Sequence, residues 1–148
     1  MPFRFPLQAV LCWRESYERR ERQRLEAITR ELVKAREQLE RAERERANAA
    51  NQLQIELQRG MNAAEMQFEL AGDRVRARRI AAWNDQVAKL EDLRRRQLEV
   101  FNKAQQQRKI MENLRDRLFA AYKLDRARRA QQQLDDRFLL THVESEVL

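Results

Sequence analysis

Residues 25–53 read LEAITRELVKAREQLERAERERANAANQL, and a single step size runs through them. Leu25, Ile28, Leu32, Ala35, Leu39, Ala42, Arg46, Ala49 and Leu53 follow one another at alternating intervals of three and four, with Arg46 the one charged member. A stripe this narrow is a coiled-coil seam, because a 3.5-residue repeat keeps one thin line of side chains facing a partner helix. Glu and Arg fill its flanks, as in ERAERER at 40–46. Carried toward the N-terminus, the frame reaches Leu11 and Leu7, and Pro6 suits a first turn, where its missing N–H costs least. Helix 1 is therefore predicted over about 7–57.

The seam stops at LQRGMNAAE, residues 57–65. Gly60 is a candidate left-handed cap, and Asn62 with Glu65 three residues on resembles a capping-box restart. The reversal is placed at 58–62, with Gly72-Asp73 as the rival turn, so that helix 2 begins near 63 or near 74. Ile80, Trp83, Val87 and Leu90 resume the three-four spacing. Val87 to Leu98 and Leu90 to Phe101 are then eleven-residue steps, which predict local unwinding of the supercoil. Helix 2 is predicted to about residue 140, followed by a tail at 141–148. Folded back at residue 60, helix 1 spans about 75 Å at 1.5 Å per residue. Helix 2 is longer and should leave roughly its last 25 residues unmatched by the same arithmetic. The expected fold is all-α, a single antiparallel two-helix coiled-coil hairpin whose second helix overhangs the first. Its seam residues include Leu25, Ile28, Leu32, Leu39, Leu53, Trp83, Val87 and Leu90.

Composition agrees with this and excludes much else. The 148 residues are 37% charged and 7% aromatic, with two Gly and two Pro, poor material for a globular core. The lone Cys12 cannot close an intrachain disulfide, which suits a reducing compartment. Arg4, Gln8 and Arg14 break the apolar runs of the N-terminus, so no signal peptide is expected, and no stretch approaches the roughly 20 apolar residues of a membrane span. His142 and Cys12 are each the only residue of their type, and neither Ser16 nor Ser145 lies in a nucleophile context. No enzyme activity, metal or cofactor is expected, because a two-helix rod offers no concave site with convergent polar groups.

The net charge is +7, and residues 74–129 carry seventeen Lys and Arg against seven Asp and Glu. That balance is compatible with phosphate binding. The cations are scattered around the helix, however, and no known nucleic-acid motif accompanies them. A basic nucleic-acid-binding helical protein and a generic interaction coiled coil are thus the rival readings, with nucleic acid disfavoured. The apolar surplus lies elsewhere. FRFPLQAVLCW at 3–13 is the densest apolar cluster of the chain, Phe119, Tyr122, Phe138, Leu139 and Leu140 are expected at the same end, and Met61, Met66, Phe68 and Leu70 lie at the tip. Packed as a plug or left exposed, such clusters at the two ends are the candidate binding elements.

The two terminal segments resemble a known family, the flagellar export protein FliJ. FRFPLQAVL at 3–11 is similar to the family's N-terminal motif, and ERRERQRLE at 18–26 to the charged run after it. KIMENLRDRLFAAY at 109–122 and QQQLDDRFLL at 131–140 resemble its C-terminal signature, matched at Leu114, Tyr122, Gln132, Leu134 and Asp135. Cys12-Trp13 and Gly72 depart from the pattern. The resemblance implies an antiparallel coiled coil similar to the central stalk of rotary ATPases. The open end would sit at the pore of the hexameric export ATPase and promote its assembly and hydrolysis, through Phe3, Phe5, Leu7, Leu11, Trp13, Tyr122, Phe138 and Leu139. The tip, with Met66, Phe68 and Leu70, would reach the cytoplasmic ring of the export gate, and export chaperones are further implied partners. The implied location is the cytoplasm, peripheral to the inner membrane at the flagellar base; an injectisome relative fits the same motifs.

Overall fold

In the computed structural model, which describes residues 2–147, two helices form an all-α hairpin: α1, Gln8–Arg59, and α2, Ala63–Val147. Good helix formers fill both, and no Pro follows Pro6, so nothing in the local chemistry breaks either one. The reversal occupies residues 60–62. Gly60 takes φ 97°, the left-handed conformation that a side chain disfavours, and its N–H donates to the Leu57 carbonyl at 3.3 Å. Asn62 then caps α2, its Oδ1 accepting the Glu65 N–H at 2.7 Å. Arg59 and Glu65 place charges of the favourable sign at the two helix ends.

Gly72 lies inside α2 instead of at a turn. Its missing side chain leaves room for the Arg76 guanidinium, which passes 3.3 Å from where a Cβ would stand. The expected tail at 141–148 is likewise helical as far as Val147, with Leu148 outside the described residues. Thr141 and Ser145 turn their hydroxyls back onto the carbonyls of Phe138 and His142, so these polar residues bond within the helix and do not end it.

The chain divides into two compact units: Arg20–Asn102 is one, and the residues up to Arg19 with those from Lys103 onward are the other. In the first, α1 turns Leu25, Ile28, Leu32, Ala35, Leu39, Ala42, Ala49 and Leu53 inward, and α2 answers with Ile80, Trp83, Val87 and Leu90. Leu32, Ala35 and Ala42 are fully buried; the other seam residues are half-covered, as a two-helix contact requires. Antiparallel pairing shows in the polar links Arg46–Asp73, Glu45–Arg79 and Arg36–Glu91, whose numbers fall on α1 as they rise on α2. Arg46, the odd member of the stripe, grips both oxygens of Asp73, at 2.9 and 3.2 Å.

The expected eleven-residue drift of α2 is absent from its burial pattern. Leu98 and Ile110 point to solvent, and Gln97, Phe101, Ala104, Arg108 and Met111 are the covered positions, which continues the three-four spacing. Polar side chains hold seam places there, and apolar residues alone therefore mislead about the phase.

Candidate functional site

In the unit that contains both chain ends, the N-terminal segment lies along α2. The Gln8 N–H closes a turn onto the Phe5 carbonyl at 3.1 Å, with Pro6 inside it. This turn lets the segment before α1 fold against α2. Phe5 and Leu11 are buried, and Phe3 tilts against Phe119 and Tyr122 with ring centroids 5.2 and 5.5 Å away. These residues are the plug of the pair. Of the residues expected at a partner contact, Leu11 is 0% exposed and Phe5 is buried, so their surface is covered within the chain.

The outer face of the same segment is different. Leu7, Val10 and Trp13 follow at three-residue spacing and are exposed, Trp13 at 54%. The Trp13 indole stacks on Tyr17 at 5.5 Å with the Arg14 guanidinium 5.0 Å from its centroid, which fixes an aromatic ledge that Trp13 leaves partly in solvent.

Beyond Tyr122, every described residue of α2 is exposed. This stretch is helical without a packing partner in its own unit, supported by spaced pairs such as Asp125–Arg129 at 3.2 Å and Gln131–Asp135 at 3.0 Å. It displays Leu124, Leu134, Phe138, Leu139, Leu140 and Val143, a run of large apolar side chains in water. Phe138 stacks on His142, and lies about 24 Å along the helix from Tyr122 at 1.5 Å per residue. Phe138 and Leu139 are therefore not part of the Phe3 cluster, contrary to the sequence expectation; they belong to the overhang.

Above the plug, the seam turns polar. Glu18 is buried and binds Arg108, which Glu112 also holds at 2.7 Å. The two carboxylates, Glu18 first, raise the guanidinium pKa further above its ordinary range. In the neighbouring unit Glu21 is buried as well, accepting from Gln97, whose amide also reaches the Glu21 carbonyl at 3.1 Å. Arg24 adds a contact to Glu21 at 2.9 Å. Neither glutamate stands out by residue type. The signal was in the phase: stepping back from Leu25 by four and three lands on Glu21, Glu18, Arg14 and Leu11.

At the reversal, Phe68 is 77% exposed, Met66 is half-covered, and Leu70, Ile55 and Leu57 are exposed. Beside Phe68 an open groove of about 530 Å³ is lined by Glu56, Met61, Ala64, Glu65 and Glu69. Exposed apolar surface is thus found on the N-terminal ledge, along the overhang and at the reversal.

With this geometry in place, the comparisons give the chain its family. The family model described as "Flagellar FliJ protein" matches residues 3–145, nearly the whole chain. The chain belongs to the FliJ family. Comparison with curated proteins and with solved structures gives no match. Family membership makes the chain a component of the flagellar export apparatus, in a family that is non-enzymatic and coiled-coil in architecture. Among the described residues no helix is long and apolar enough to cross a membrane.

Proposed function

We propose that this FliJ-family chain is a non-enzymatic stalk of the flagellar export apparatus. It binds the hexameric export ATPase, promotes the assembly and hydrolysis of that ring, and links it to the cytoplasmic ring of the export gate and to export chaperones. It acts in the cytoplasm, peripheral to the inner membrane at the flagellar base. The observation that carries the reading is the family match over residues 3–145. The exposed apolar residues of the overhang support it, because a helix with Leu134, Phe138 and Leu139 in water is matched to a partner and not to its own chain. On this reading the ATPase contact is made by Leu7, Trp13, Phe138 and Leu139, with Phe3 and Tyr122 at its edge, while Phe5 and Leu11 hold the segment in place. Met66, Phe68 and Leu70 face the gate. Among the arginines, Arg79, Arg96, Arg108 and Arg129 are engaged by carboxylates.

The test is ATP hydrolysis by the purified export ATPase of the same organism, with and without this protein. Clear stimulation is expected, and Phe138→Ser with Leu139→Ser should remove most of it while the helical circular-dichroism signal and melting curve stay unchanged. No stimulation together with no co-migration with the ATPase would overturn the proposal.

A further inference from the structure

The reversal end differs from the rest of the molecule in charge as well as in hydrophobicity. The chain as a whole is at +7, yet from Ala47 to Gly72 it carries three glutamates, Glu56, Glu65 and Glu69, against the single cation Arg59. All three glutamates line the groove beside Phe68, together with Met61 and Ala64. Several acidic side chains elsewhere are matched across the hairpin, as Glu45 is by Arg79 and Glu91 by Arg36. Here Glu69 reaches Arg76 only at 4.0 Å, and the carboxylates of Glu56 and Glu65 are exposed with no ion-pair partner among the described residues. The Glu65 backbone is fixed by the Asn62 cap, so this carboxylate is held at the rim and is not on a wandering loop.

From this geometry we infer that the groove is a docking site for a protein segment that places an apolar side chain between flanking Lys or Arg residues. Phe68 and Met61 supply the apolar contact, an exposed aromatic being the usual anchor of such a site. The three glutamates supply a field opposite in sign to that of the chain around them, which orients an incoming basic segment and repels an acidic one. The groove is open and bordered by further exposed apolar residues at the same helix ends, Ile55, Leu57 and Leu70, which fits a polypeptide better than a small molecule. The inference rests on, and deepens, the assignment of this end to the export gate: the gate surface that meets it is basic and apolar.

Binding of the full chain to the cytoplasmic domain of the export gate from the same organism, at about 50 mM and about 300 mM salt, separates the two claims. The triple variant Glu56→Gln, Glu65→Gln, Glu69→Gln should weaken binding roughly tenfold at the lower salt and remove most of the salt dependence. Phe68→Ala should weaken it at both salt concentrations, and unchanged thermal melts establish that both variants are folded. Loss with Phe68→Ala but wild-type binding by the triple variant would overturn the basic-segment inference and leave the gate assignment standing. If neither variant affects the gate, that assignment fails. The inference is then decided by titrating the ¹⁵N-labelled chain with a synthetic peptide of alternating Leu and Lys, and with its Leu–Glu counterpart. Shifts confined to residues 55–70 with the Lys peptide alone support it; shifts elsewhere, with both peptides or with neither, overturn it. A mass that rises with concentration and is abolished by Phe68→Ala would assign the groove to a second copy of this chain and overturn the inference as well.

Discussion

Arg46 occupies a seam position where a Leu or Ala would be expected, and its place is explained by Asp73 across the reversal. The bidentate contact, mainly its hydrogen bonding, holds the Asp73 carboxyl below the usual carboxylate range and raises the Arg46 guanidinium. A carboxyl lowered on folding contributes stability that is fully present above its unfolded value, about pH 4, and lost as the pH falls through the lower folded value. Asp73→Asn should therefore lower the urea midpoint at neutral pH by an amount that persists into the alkaline range, and flatten its fall on acidification. Gly60 makes a different demand. Nothing lies within 4 Å of the place a Cβ would take, so the cost of a side chain there is the backbone's alone. Gly60→Ala should cost about 1 kcal/mol, the penalty of the left-handed conformation, read from chemical denaturation.

At the scale of the elements, the long helices divide into stretches that are held and stretches that are not. The seam from Leu25 to Leu53 was legible because its residues are apolar and its step is regular. The reversal was legible because Gly60 and Asn62 are a cap and a restart in the right order. The continuation of α2 was not, because Gln97 and Arg108 take seam places while Leu98 and Ile110 face water. A hydrophobicity reading follows the wrong residues there and invents a change of period. The same blindness hid Glu18 and Glu21, whose burial depends on cross-helix partners that no single helix reveals. Arg108→Met should cost about 3 kcal/mol, since it leaves the Glu18 carboxylate buried without its guanidinium. Pairing that change with Glu18→Leu should restore stability to the wild-type level or above. The overhang follows from length alone, and the sequence marks Phe138, Leu139 and Leu140 as its apolar surplus but not Leu124 and Val143, which are exposed there as well. With no packed neighbour in its unit it is held by local hydrogen bonds only, and helices of this length are marginal in water. Amides in 123–147 should exchange with solvent far faster than those in 80–101, by mass spectrometry or NMR.

At the scale of the molecule, removing residues 1–13 takes out both the buried plug and the exposed ledge. Such a deletion should lower the melting temperature of the unit that holds both chain ends as well as abolish ATPase stimulation, so it locates no contact on its own. Trp13→Ala, on the outer face, should reduce stimulation without shifting the melt; equal loss of both would return Trp13 to the plug. A sequence shows which side chains are apolar but not which of two faces each one takes, so the buried and the exposed sides of the N-terminal segment read alike. Glu18 and Glu21 also bear on a choice the chain makes before it meets any partner. If two copies paired α1 with α1, parallel and in register, each glutamate would confront its own twin and four carboxylates would be forced together with neither Arg108 nor Gln97 to receive them. Like charges at such positions are strongly unfavourable. The polar stretch of the seam thus acts against one form of self-recognition: it disfavours parallel pairing of α1 with α1 and makes an antiparallel α2 the acceptable mate.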